Sequence, residues 1–305
     1  MGQETVDKFT RHLQATKPKN TANTYSKAVV KFENYLISIG LDIETLTLGT
    51  LDDYVAWLTE QQYSPASIST WIAAVVKYVR FLKKAGFDVP EVQSVELPAV
   101  HTKDPESLSE PELITFMKAA SSELLEPTRT ALILMPFCGL RSAEIVSLGM
   151  GDVLTEKVDG KINAYFKVVR KGGAEGKVPL LEEGKLLLLS YLREYRSTVR
   201  GKNKFLFPGN DNGHIGTRSL REGCENLSLS TGIEKLRTHI LRKTYATMLF
   251  QKGVPIGVIS QNLGHASVDM TMKAYIGKDI VHSMRQTQGI ELLGKRTVKE
   301  ITTHE

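Results

Sequence analysis

Between residues 90 and 106 this chain loses all periodicity. Pro90-Glu-Val-Gln-Ser-Val-Glu-Leu-Pro-Ala-Val-His-Thr-Lys-Asp-Pro-Glu106 holds three prolines, and each one fixes φ and removes a backbone donor. Neither a helix nor a sheet ladder runs easily through such a stretch, so it reads as a linker. At 305 residues the chain is also long for a single core. The expectation is therefore two domains, residues 1–89 and 107–305, joined by residues 90–106.

The first domain reads as helix with little else. Val6, Phe9 and Leu13 recur at helical spacing, as do Tyr25, Val29, Phe32 and Leu36. Thr21 is a plausible N-cap and Gly40 a plausible stop for the second of these helices. A third is predicted over Leu51 to Gln61, and a fourth from Ser64-Pro65, Ser as cap and Pro at the first position, to before Gly86. Four helices with short connections make a small bundle. Lys77, Arg80, Lys83 and Lys84 decorate the last one, either as a solvated face or as a phosphate-contacting one.

Helix restarts after the linker with Ser109 as its cap, and Ala131-Leu-Ile-Leu-Met-Pro-Phe137 reads as a buried helix. From Lys161 to Val169 the pattern alternates, with Ile162, Ala164, Phe166 and Val168 sharing one face. The loop Lys171-Gly-Gly-Ala-Glu-Gly176 and then Lys177-Val-Pro-Leu180 complete a hairpin whose tip carries lysines. Beyond Leu180 the helical pattern returns. The second domain is thus expected to be mostly helical with a small antiparallel sheet.

Composition narrows the class. The net charge is +5, and since residues 1–100 hold ten Lys/Arg against eleven Asp/Glu, residues 101–305 carry a net +6. Such an excess suits an anionic partner and equally a solvated surface. No apolar run reaches the ~18 residues of a membrane span. The N-terminus has no basic region followed by an apolar stretch, so a cytoplasmic location is expected. Cys138 and Cys224 lie far apart without metal-ligand spacing, which fits buried thiols in a reducing compartment. No Gly-rich phosphate cradle, acidic cluster or Cys/His metal spacing occurs, so neither ATP nor a metal cofactor is implied.

Two segments near the C-terminus concentrate the chemistry. Thr238-His-Ile-Leu-Arg-Lys-Thr-Tyr-Ala-Thr247 sets His239 and Arg242 three residues apart, nearly one helical turn. Leu263-Gly-His265 follows, with Gly264 ending a helix begun at Pro255, and Tyr275 lies ten residues on. Far upstream, Gly139-Leu-Arg-Ser-Ala-Glu144 places Arg141 at a sharp break between helices. Attack on a phosphodiester gathers charge on the non-bridging oxygens, and two guanidiniums meet that charge with paired donors and no metal. Imidazoles donate to the phosphate or shuttle a proton. A phenol becomes a nucleophile when a base or cation assists it. A hairpin lysine of lowered pKa suits protonation of the leaving 5′ oxygen, with Lys171, Lys167 and Lys177 in competition.

The set Arg141, Lys171, His239, Arg242, His265 and Tyr275 resembles the site of the tyrosine recombinases, the phage integrase family. The resemblance spans nearly the whole chain and is strongest in residues 136–148 and 236–277. It implies a SAM-like, four-helix core-binding domain before a catalytic domain of the DNA breaking-rejoining fold. It assigns Tyr275 as the nucleophile and Lys171, in a Gly-Lys-Gly-like turn before Val-Pro-Leu, as the acid; Arg170 stands where the family often has Gly. It further implies a double-stranded DNA partner with specific recombination sites, and four protomers on two sites, assembled through the C-terminal tail. The roles open to such an enzyme are phage integration, transposon movement, cassette exchange and chromosome resolution. A type IB topoisomerase shares the site chemistry, and the helical bundle before the catalytic domain favours recombination over it. A catalytically inactive DNA-binding regulator would not need every position intact.

Overall fold

A computed structural model describes residues 2–92, 95–99, 107–170, 173–199, 203–210 and 212–265. The chain divides into two compact units, Met1–Thr102 and Lys103–Glu305. The fold is mostly helical with one small antiparallel sheet. Among the described residues no helix is long and apolar enough to cross a membrane.

The first unit contains α1 (Gly2–Thr16), α2 (Lys19–Ser38), α3 (Leu48–Glu60) and α4 (Pro65–Lys84). The Ser64 side chain accepts from Ser67 N at the start of α4, with proline at the first helical position. Two boundaries differ from the sequence reading. Pro18 rather than Thr21 stands at the start of α2, because a proline fixes the entry angle without needing a side-chain acceptor. Thr47 caps α3 and pairs with Thr50, which moves that helix start three residues earlier than Leu51. The apolar stripes of the four helices meet in one core that includes Phe9, Phe32, Tyr54, Val75 and Tyr78, and Val89 and Val92 pack against the same core.

The second unit is built around α6 (Thr128–Cys138), buried from Thr130 to Cys138. Around it lie α5 (Glu110–Glu123), α7 (Ser142–Ser147), α8 (Glu182–Glu194), α9 (Thr217–Thr231) and α10 (Thr238–Gln251), and α11 (Ile256–Leu263) packs against α10. A full capping box, Ser109 with Glu112, starts α5. The sheet runs in the order β1 (Val153–Val158), β2 (Lys161–Val169), β3 (Glu175–Pro179), antiparallel throughout. Strand β1 escaped the sequence reading because its outer four residues are all exposed and leave no alternation. Ala164, Phe166 and Val168 face the core, whereas Ile162, at the same face's outer end, is exposed. Both cysteines are buried as free thiols, and burial pushes each up to about 12.

Candidate active site

Three helix ends in the second unit bring the polar residues together. The first is the break after α6. Gly139 adopts φ +63°, and a Cβ there would lie 2.5 Å from the Tyr245 ring, so only glycine fits. The chain then turns into α7 with Arg141 as the residue before its first turn. Glu144 holds that turn twice over: its Oε2 accepts from Arg141 N at 2.8 Å and its Oε1 from Arg141 Nη1 at 2.7 Å. The Arg141 side chain stays 44% exposed while that of Glu144 is nearly buried.

The second end is the start of α10. Ser142 donates to Thr238 Oγ1 at 2.7 Å, which fastens α7 to this end. His239 is exposed here, on a groove of about 780 Å³ that Ser142, Arg218, Arg221, Lys235 and Arg237 also line. One turn further in, Arg242 is only 5% exposed. Its Nη1 donates to Gly139 O at 2.6 Å and its Nη2 to Leu263 O at 2.7 Å. Glu144 Oε2 lies 3.6 Å from Arg242 Nη1, so one carboxylate lies between two guanidiniums.

The third end is the close of α11. Gly264 takes φ +64° and ends the helix, as Leu263-Gly264 implied. A small apolar cluster, Tyr245, Ala246, Leu249, Ile259 and Leu263, packs α11 against α10 and sets His265 beside Arg242. The His265 Nε2 lies 3.2 Å from Arg242 Nη2. A guanidinium only donates, so Nε2 accepts and the neutral ring carries its proton on Nδ1. Burial first, then the charges of Arg242, Arg141 and Arg170, push this histidine down to about 4, so it is neutral at pH 7.

The structure thus brings Arg141, Arg242 and His265 together and leaves His239 at the rim of the adjoining basic groove. Lys171 and Tyr275 lie outside the described residues, as does the segment 279–305. The two competing hairpin lysines are engaged elsewhere. Lys167 pairs with Glu175 at 2.8 Å, which holds its pKa up, and Lys177 sits 4.9 Å from the centre of the Tyr165 ring. In the first unit, Lys77, Arg80 and Lys84 line a cavity of about 470 Å³ with Phe9, His12 and Phe81. Arg80 reaches Val92 O at 3.3 Å, and Lys83 lies 3.7 Å from Glu91.

Sequence reasoning missed four residues of the groove and two of the centre. Arg218, Arg221, Lys235 and Arg237 each look like a solvated charge until α9 and α10 set them on one wall. Glu144 stood inside the Arg141 segment but gained a role only from its contact with Arg242. Arg170 reaches Gln261 O and Asn262 O from the end of β2.

Residues 106–282 match the phage integrase family, and residues 6–86 match its N-terminal SAM-like domain. The chain is 29% identical over 270 residues to tyrosine recombinase XerD of Rickettsia conorii, covering 83% of this chain and 87% of that protein. It is 28% identical over 290 residues to tyrosine recombinase XerC of Oceanobacillus iheyensis, covering 90% and 92%. The fold is similar to that of XerH site-specific recombinase in its pre-cleavage complex with difH substrate, with TM-score 0.69, 23% identity and coverage of 88% of this chain and 79% of that one. A lambda integrase (75–356) dimer bound to a COC′ core site superposes with TM-score 0.68 at 18% identity, over 88% of this chain and 96% of that one. With three helix ends holding two arginines against a neutral histidine, and with the family matched across more than half its length, the chain belongs to the phage integrase family of tyrosine recombinases.

Proposed function

We propose that this enzyme recombines DNA at specific sites by forming a 3′-phosphotyrosine bond through Tyr275, with neither metal nor ATP. The observation that carries this reading is the setting of Arg242. Its donors are aimed by Gly139 O and Leu263 O, and the carboxylate beside it is shared with Arg141, so the cluster keeps a net positive charge. Fixed positive charge of this kind stabilises a pentacoordinate phosphorane without reorganising during the reaction.

In the proposed cycle the Tyr275 oxygen attacks phosphorus while the 5′ oxygen departs. Lys171 gives that oxygen a proton; the engagement of Lys167 and Lys177 elsewhere supports this assignment. Arg141 and Arg242 hold the non-bridging oxygens. His265, neutral at pH 7 with its Nε2 turned to Arg242, donates from Nδ1 to the phosphate, and His239 donates from the groove rim. The phosphotyrosine bond keeps the energy of the phosphodiester, so a 5′ hydroxyl from another strand reverses the step without external energy. Arg218, Arg221, Lys235 and Arg237 hold the duplex backbone beside the scissile phosphate, and Lys77, Arg80, Lys83 and Lys84 hold it from the first unit. Two duplexes need four cleavages, so four protomers assemble on two sites, joined through residues 279–305, whose Ile280, Val281, Met284, Ile290, Leu292 and Leu293 suit a docking helix.

The test is covalent capture on a nicked suicide duplex. Wild-type protein should stay attached to one strand after denaturation, in the presence of a chelator, leaving a free 5′ hydroxyl. Tyr275→Phe should bind the duplex and form no adduct. An adduct with that variant, or a strict need for magnesium, would overturn the reading. Deleting residues 279–305 should leave single-site binding and abolish paired-site complexes; full recombination by the truncated protein would overturn the assembly.

A further inference from the structure

The last four carbonyls of any α-helix lack partners within it. At the end of α11 all four are met, and two of them by one residue from another part of the fold. Ser260 O accepts from His265 N at 3.1 Å, and Gln261 O from Gly264 N at 3.0 Å. Leu263 O is taken by Arg242. Arg170 then spans Gln261 O with Nη1 at 3.0 Å and Asn262 O with Nη2 at 2.7 Å. Its guanidinium is thereby placed at the negative end of the helix dipole.

The guanidinium is also fixed from its flanks. A Cβ on Gly176, in β3, would stand 2.8 Å from Arg170 Nε and 3.1 Å from its Cζ. A Cβ on Gly264 would strike the same guanidinium from the other direction. Two glycines in separate elements therefore leave room for this one side chain. At the backbone, Arg170 N donates to Ala174 O at 2.8 Å and Gly173 N to Arg170 O at 3.0 Å, so Arg170 anchors the connection between β2 and β3. Arg170 precedes Lys171 in the sequence and thus, through Gln261 and Asn262, ties the β2–β3 connection to the segment bearing His265.

We infer that Arg170 is a positioning residue that joins the β2–β3 turn to the end of α11 and so sets the general acid at position 171 in register with His265. The inference rests on the functional reading above. Arginine suits the role because its planar fork spans two carbonyls, which a lysine ammonium does not.

The test uses the full chain and two suicide duplexes, one with ordinary phosphodiester and one with a 5′-bridging phosphorothiolate, whose sulfur leaves without needing a proton. Arg170→Ala should cleave the ordinary duplex about 10²-fold slower than wild type, the scale of a misplaced catalytic group. On the phosphorothiolate it should return to within a few-fold of wild type, as Lys171→Ala should. Arg170→Lys should resemble Arg170→Ala. Gly176→Val keeps Arg170 but fills the space beside its Nε, in a strand where valine is favoured, and should give the same pattern even if Arg170→Ala folds poorly. An equal loss on both duplexes, or no loss on the ordinary one, would overturn the inference. If wild-type protein forms no adduct on either duplex, the functional reading itself falls. If wild type cleaves and Lys171→Ala is rescued while Arg170→Ala is not, only the role of Arg170 falls.

Discussion

Among the described residues, the buried side chain of the first unit that is of a charged type is an acid, Glu33, and that of the second is a base, Arg242. Their partners differ in kind. Tyr78 donates to Glu33 Oε1 at 2.7 Å, and the Tyr78 oxygen lies 2.7 Å from Thr5 Oγ1, so a chain of hydroxyls knits α1, α2 and α4. Burial raises the Glu33 pKa despite that bond, which favours the uncharged acid. Around Arg242 the acceptors include two main-chain carbonyls and the His265 Nε2, which orient a cation without cancelling its charge. One carboxylate, Glu144, lies between two guanidiniums, and a third, that of Arg170, is close enough to disfavour the charge on His265. A polar network that closes on itself holds helices together. One that leaves fixed charge over is prepared for an anion.

The sharpest way to break this contrast is to truncate each centre. Arg242→Ala should slow strand cleavage by at least ~10²–10³, the loss typical of one preorganised donor. It should also cost about 3–5 kcal/mol of stability, because Glu144 and the helix-end carbonyls lose a buried partner. Arg141→Ala should slow cleavage to a similar degree but change stability by only about 0–1 kcal/mol, since the Arg141 side chain is itself exposed and Glu144 keeps Arg242 beside it. DNA affinity should fall much less than rate in both, as many other cations share the phosphate backbone. Single-turnover cleavage, filter binding and urea unfolding separate these effects. An affinity loss as large as the rate loss would mean that the arginines only bind.

Tyr78→Phe is the matching cut in the first unit. Glu33 loses its donor, at a cost of about 1–3 kcal/mol, while cleavage of a saturating suicide duplex should be unchanged. Both tryptophans, Trp57 and Trp71, belong to the first unit, so their fluorescence follows its unfolding. A cleavage defect in Tyr78→Phe on the scale of Arg242→Ala would remove the distinction between the two networks.

The same contrast explains what was legible in the chain. Periodicity exposed the helices of the bundle because each buries one continuous stripe. Caps such as Ser64 and Ser109 were readable because capping acts within three residues. Arg141 and His265 were readable because each stands at a helix end marked by Gly139 or Gly264, and Arg242 because it lies one helical turn from His239. Arg170 was opaque for the opposite reason. Its acceptors are carbonyls 91 and 92 residues away, and carbonyls carry no side-chain identity. Glu144 was half legible, since its bond to Arg141 N is local but its approach to Arg242 is not. Strand β1 left no pattern because it buries too little.

The smallest expected effect sharpens the comparison through pH, since the two buried networks should respond with opposite sign. Glu33 is raised above 4.5 in the folded state. Its neutral form is favoured by folding, so the stability linked to it is fully present below 4.5 and is lost as pH rises through the folded value. His265 falls from 6.5 to about 4. The unfolded chain then binds the extra proton, so the stability linked to His265 is present above 6.5 and is lost as pH falls toward 4. Glu33→Gln keeps an acceptor for Tyr78 without the charge, and should gain on wild type as pH rises from about 4.5 to about 7. His265→Asn should gain on wild type as pH falls across the same range. Urea midpoints at several pH values, followed by tryptophan fluorescence for the first unit and by far-UV circular dichroism for the whole chain, read the two slopes. Slopes of the same sign would mean that one of the two side chains is solvated rather than held in its network.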